Sequence, residues 1–166
     1  MIATSHVIIS GTAAVAAGAL THNPAAAVAV GFATHLICDA IPHIDSPPNT
    51  VIINDKAVWD KNLYIFAITD SLLAFLSVFL IWFYKFDHNL LSPFLFGAIG
   101  GYLPDIIDVF PLWSEQLQKL PIFKQFHALH LGVHNLWRRK FPMPQHWKLG
   151  TITQVVAVGA NLLYFF

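Results

Sequence analysis

The chain has 166 residues, of which 56% are hydrophobic and 11% charged, with nine Lys and Arg balancing nine Asp and Glu. Soluble domains carry about 25% charged residues, so a water-facing surface of this size would be short of charge, and a zero net charge excludes the basic footprint of a nucleic-acid binder. The single cysteine, Cys38, excludes an internal disulfide and a cysteine-rich zinc finger, while nine histidines in so apolar a chain demand an explanation.

Ala3 to Leu20 is the first apolar run, broken only by small polar residues and His6. No Lys or Arg precedes Lys56, so the run lacks the basic start of a secretory signal and reads as a retained helix. Thr21-His22-Asn23-Pro24 is a turn, and Ala25 to Ile41, closed by Pro42, is the second run. Residues 43–62 form a polar loop containing Pro47 and Pro48. Leu63 to Tyr84 is the third run, with one charge, Asp70, in a stretch long enough to cross a bilayer. A short turn, 85–89, leads to the fourth run, Leu90 to Phe110, which contains Leu103-Pro104-Asp105-Ile106-Ile107-Asp108 near its end. In the polar connection 111–148, Phe123, Phe126, Leu129, Val133 and Trp137 recur at helical spacing. Arg138, Arg139 and Lys140 close that stretch and Pro142 stops it, which predicts an amphipathic helix at the membrane surface or capping the bundle. Leu149 to Phe166 is the fifth run, with an aromatic end suited to a membrane interface. The expectation is all-α: a single membrane domain over 1–166, an integral bundle of about five transmembrane helices plus one interfacial helix, with hairpins at 3–41 and 63–110.

Alternating spans put the N-terminus, the 43–62 loop and the 111–148 connection on one side, together with Lys56, Lys61, Lys119, Lys124, Arg138, Arg139, Lys140 and Lys148; only Lys85 falls opposite. The positive-inside rule makes the crowded side, and the N-terminus, cytoplasmic. Gly31 to Asp39 and Gly97 to Asp105 share the spacing G-x7-D at the ends of the second and fourth runs, as two parallel helical hairpins from a duplication would.

The ionisable groups collect at the same side. His6 lies about one turn inside the first helix. His35 and Asp39 share a face of the second, being four apart. Asp70 lies near the start of the third, and Asp105 and Asp108 end the fourth. His127, His130 and His134 form a stripe on the connecting helix. A rise of 1.5 Å per residue keeps their scatter in depth to about 10 Å. Isolated charges in hydrocarbon cost several kcal/mol, so such a cluster implies mutual neutralisation, water or a metal ion. Histidine nitrogens with aspartate oxygens suit a divalent metal, zinc above all, with manganese or iron as alternatives. His6, His35, Asp39, Asp105, Asp108 and His130 are the candidate ligands, and Asp70, His127 and His134 the candidate acid, base or further ligand groups. His43 and Asp45 follow the second helix closely enough to reach the site, whereas His22, His88 and His146 fall in turns or loops and receive no role.

The segment Gly31-Phe-Ala-Thr-His35-Leu-Ile-Cys-Asp39-Ala-Ile-Pro42-His43 resembles the helix-end signature G-x-x-x-H-x-x-x-D-x-x-x-P/H of the YdjM-like group of membrane-bound metal-dependent hydrolases, bacterial inner-membrane proteins placed beside zinc-dependent phospholipase C and P1-type nucleases. Leu103 to Asp108 is similar to that group's L-P-D-I-D-H segment, Phe126-His127-Ala-Leu-His130 to its G-H-R-x-x-T-H-S segment, and Ser5-His6 to its N-terminal histidine. Here Asp108 follows Asp105 by three residues rather than two, and the segments run in a different order. The resemblance implies a metal-dependent hydrolase of phosphoesters, with a phospholipid as one candidate substrate, membrane lipids as partners and the bacterial inner membrane as location. The same cluster also suits a metal-ion or proton-linked transport protein, which at this size would work as an oligomer, or a structural membrane subunit whose polar cluster fixes helix packing.

Overall fold

A computed structural model describes residues 3–18, 23–53, 56–85, 88–138 and 145–163. Arg139, Lys140, Pro142, the turn residues Thr21 and His22, and the aromatic end 164–166 lie outside the described residues, as do the side chains of His88, Trp137, Arg138 and His146. The described chain is all-α apart from one small hairpin. Its elements are α1 (Ala3–Gly18), α2 (Pro24–Asp39), β1 (Ile52–Ile53), β2 (Lys56–Ala57), α3 (Lys61–Lys85), α4 (His88–Asp108), α5 (Ser114–Leu117), α6 (Pro121–Arg138) and α7 (Gln145–Leu163).

Local chemistry starts and stops these helices where the sequence signals them. Asn23 caps α2 by accepting from the Ala25 and Ala26 amides at 2.9 and 3.4 Å, with Pro24 at the first helical position. Asp60 caps α3 through the Leu63 amide at 2.8 Å. The antiparallel hairpin, pairing Ile52 with Ala57 and Ile53 with Lys56, was not expected in the 43–62 loop; a two-residue strand is too short to carry a period.

α1 is the hub. It packs against α2, α3, α4 and α7, and α4 also packs along α2. Small residues make this close: a Cβ on Gly31 would lie 2.0 Å from the Gly97 carbonyl oxygen, so α2 and α4 touch backbone to backbone. Those two glycines open the G-x7-D segments, which therefore run side by side and end at the same level. The expected equivalence of two hairpins fails in α3, which packs on α1 and leaves most of its surface exposed. Two helical segments, Lys61–Phe83 and Asn89–Asp108, are long and apolar enough to cross a membrane. α1 and α2 are apolar but have 16 residues each, about 24 Å by helix rise against a hydrocarbon core of about 30 Å.

Candidate metal centre

Five histidines and two aspartates from α1, α2, α4, α6 and the turn after α2 meet where the bundle helices end. His35 and Asp39 stand one turn apart on α2, with His35 Nε2 2.9 Å from Asp39 Oδ2. His130 and His134 stand one turn apart on α6, their Nε2 atoms 3.0 and 3.1 Å from the same Oδ2. His6 of α1 faces Asp39 Oδ1 at 3.2 Å. Asp105 of α4 brings Oδ1 to 3.7 Å from His35 Nε2 and 3.8 Å from His130 Nε2. His43 reaches in from the turn, 3.7 Å from Asp39 Oδ1. That turn is gripped by α7: Thr153 Oγ1 donates to the Pro42 carbonyl and Gln154 Nε2 to the Ile44 carbonyl at 2.8 Å. Gly150 permits the approach, since a Cβ there would lie 2.5 Å from the His43 carbonyl carbon.

The donor set of this cage suits a metal ion. His35 Nδ1–H donates to the Gly101 carbonyl at 2.7 Å, His43 Nδ1–H to the Ile41 carbonyl at 2.7 Å, and His130 Nδ1–H to Asp108 Oδ2 at 2.9 Å. In a neutral imidazole the other nitrogen is then a lone pair, so three Nε2 lone pairs converge on a carboxylate. His130 Nε2 alone has three close neighbours, Asp39 Oδ2 at 3.0 Å, His35 Nε2 at 3.1 Å and His134 Nε2 at 3.2 Å. One proton cannot serve all three. His6, fully buried with its ring stacked 3.7 Å from that of His35, makes no hydrogen bond from either nitrogen among the described residues. Metal bonds of about 2.0–2.2 Å put tetrahedral ligand atoms about 3.4 Å apart, within the observed spread. Four overlapping sets qualify, each with its ligand atoms within 4.8 Å: His6–His35–Asp105, His35–Asp39–His130, Asp39–His43–His134 and Asp105–His130–His134. A buried His/Asp cluster able to hold a metal ion is therefore present.

Electrostatics agree. Burial holds the His43 pKa down to about 3, so its ring is neutral and able to ligate. Burial also works against charge on His130, but hydrogen bonds to Asp108 and Asp39 and the charge of Asp105 outweigh it, and its pKa is pushed up to about 9. With no metal bound, His130 therefore carries a second proton, on Nε2 toward Asp39, and a metal ion would have to displace it.

Asp108 stands one layer out. It accepts from His130 Nδ1, from His127 Nδ1 at 2.8 Å and from Gln118 Nε2 at 3.3 Å. A carboxylate behind a ligating histidine fixes its tautomer and orientation. Asp108, expected among the ligands, belongs to none of the four sets: three residues along a helix is a 60° rotation from Asp105, enough to turn it to the back of His130. His127 supports Asp108 from the half-exposed edge and belongs to none of the four sets. His134, expected as an acid or base, stands in the cage. Asp70 lies elsewhere: it accepts from the Ala3 and Thr4 amides and from Thr4 Oγ1, and so caps the start of α1. His6, His35, Asp39, Asp105 and His130 are brought together as expected. His43 joins them through the turn, and Asp45 stands at the rim, its Oδ2 3.5 Å from His134 Nδ1. Gln118 carried no signal in the sequence.

No protein-family model, curated protein or solved structure matches the chain. The reading of the site therefore rests on its own geometry.

Proposed function

We propose that the chain is a membrane-embedded, metal-dependent hydrolase of phosphoesters. One observation carries the reading: the Nδ1 atoms of His35, His43 and His130 are each tied to an oxygen, which leaves their Nε2 lone pairs converging on Asp39. A divalent ion, zinc foremost, would supply Lewis-acid charge to a phosphoryl oxygen and lower the pKa of an attacking water. The overlapping sets, with Asp39 offering both oxygens, favour two ions. The chain's own groups orient and exclude. His6 and His35 close the bundle side, fully buried, while Asp105 and Asp45 keep 25% and 21% of their side chains exposed and form the mouth. Asp45, outside the ligand sets and held by Ser46 Oγ at 3.2 Å, is the carboxylate placed to pass a proton to or from water there.

In this reading α1, α2 and α7 complete a multi-pass bundle with α3 and α4, in a bacterial inner membrane, and the cage opens on the cytoplasmic side that holds eight of the basic residues. Short α1 and α2 fit because the other helices shield them from lipid. The interior away from the cage argues against transport: Val15, Ile81 and Phe94 pack there, and the Phe94 ring lies where a Gly11 side chain would be. Purified protein is expected to retain stoichiometric metal and to hydrolyse phosphodiester or phosphomonoester substrates in a chelator-sensitive way. Absence of metal by elemental analysis, with activity indifferent to chelation, would overturn the proposal.

A further inference from the structure

α6 has three faces, and the cage explains only one. His127, His130 and His134 point to the bundle. Ile122, Leu129 and Leu136 recur every seven residues, two full turns, and are 71%, 54% and 52% exposed. Beside them, Phe126 and Val133 widen the stripe into an apolar arc. The remaining face, with Lys124, Gln125 and Ala128, is exposed and polar or small.

The arc has a direction. Its inner edge, Phe126, packs against Phe32 of α2 with ring centroids 5.5 Å apart. Phe32 lies seven residues before Asp39, about 10 Å nearer the middle of the bundle by helix rise. The arc therefore turns toward the hydrocarbon and the Lys124 face away from it. A second exposed apolar stretch follows α4: beyond Asp108 come Val109, Phe110, Leu112 and Trp113, all exposed, with the Trp113 indole donating to the Ile106 carbonyl at 2.7 Å. Lys119 precedes α6 and Lys124 stands on its opposite face, both exposed, as suits an anionic headgroup layer.

We propose that α6 lies in the lipid headgroup layer by its Ile122–Leu129–Leu136 arc, and that the cage it closes acts on phosphoesters carried by membrane lipids. The second half rests on the hydrolase reading; the first does not. A lipid held at this depth would have its phosphate level with the mouth at Asp105, whose helix passes directly into the apolar connection.

The test uses the full chain in nanodiscs of phosphatidylcholine and phosphatidylglycerol. A fluorophore is placed by Ile122→Cys, Leu129→Cys or Leu136→Cys, and on the other face by Lys124→Cys or Ala128→Cys, each with Cys38→Ala. Lipid-borne nitroxide is expected to quench the first set several-fold more than the second, and iodide in water the reverse. Equal quenching of both sets by iodide would overturn the proposal. So would shielding of the first set from both quenchers with cross-linking between copies, which would assign the arc to a second chain. Independently, Leu129→Lys with Leu136→Lys is expected to lower hydrolysis of vesicle phospholipid by about tenfold or more, from the lost apolar insertion, while a water-soluble aryl phosphodiester is hydrolysed as before. Equal loss on both substrates would overturn the lipid source. Failure of the unsubstituted protein on both would overturn the hydrolase reading and leave the quenching result to decide the placement of α6.

Discussion

Asp39 and Asp70 are both buried carboxylates on apolar helices, and their surroundings are opposite in kind. Around Asp70 every close partner is a donor: the Ala3 and Thr4 amides, free at a helix start, and the Thr4 hydroxyl at 2.7 Å. Its charge also faces the positive end of the α1 dipole. Around Asp39 stand five histidines, three of which, when neutral, have spent their ring proton elsewhere. A carboxylate that meets N–H and O–H groups is complete and holds structure together. One that meets lone pairs is incomplete without a cation. Burial alone does not separate the two; the inventory of protons does.

The comparison is tested hardest at Asp39. Asp39→Ala removes the carboxylate of two of the four ligand sets, His35–Asp39–His130 and Asp39–His43–His134, and is expected to lower metal retention, read by elemental analysis, by half or more and to abolish hydrolysis. If metal content stays at the unsubstituted level, Asp39 is a structural group like Asp70. Asp108→Ala acts one layer back. It frees the His130 tautomer and is expected to weaken metal affinity by about 10–100-fold, the usual cost of losing such a support, measured by competition with a chromogenic chelator. His127→Ala is expected to do less, because Asp108 keeps its bond to His130. Chelation of the unsubstituted protein should lower its Tm, since a ligand at 100 times its Kd adds about 2.7 kcal/mol; a Tm unmoved by chelation would mean that the cage is neutralised by protons alone.

Much of this contrast was legible in the sequence, and the missing part is instructive. Hydropathy and alternation brought the His/Asp residues to one end of the bundle, and the four-residue spacing of His35 and Asp39, like the stripe of His130 and His134, gave the faces that meet. Depth along a helix can be read from a chain; azimuth against a neighbour cannot. Asp105 and Asp108 differ by one 60° step, and this puts one in the cage and the other behind it. Asp70 sits near the level of His6, yet its partners are backbone amides, which leave no mark in a sequence. His43 enters because Thr153 and Gln154 of a distant helix hold its turn, and Gln118 because a short connection folds back on Asp108. Five apolar runs suggested about five spans, whereas two helical segments among the described residues, Lys61–Phe83 and Asn89–Asp108, are long and apolar enough to cross a membrane, and α1 and α2 have 16 residues each.

The smallest expected effects are at Asp70, and they are the sharpest on the comparison because two substitutions there should part. Asp70→Ala strands the Ala3 and Thr4 amides in a buried setting, a loss of about 1–2 kcal/mol for a helix cap, or a Tm lower by about 2–8 °C at this chain length. Asp70→Asn keeps one carbonyl oxygen, enough for the Thr4 amide and hydroxyl, but turns an NH2 toward the Ala3 amide, so it should recover part of that difference. In both variants the metal content is expected to match the unsubstituted protein, because the ligands on α2, α4 and α6 do not depend on where α1 begins. Loss of metal in Asp70→Ala with recovery in Asp70→Asn would show that the cap sets the reach of His6 and that the two carboxylates work as one assembly. Loss in both would place the charge of Asp70 itself in the site.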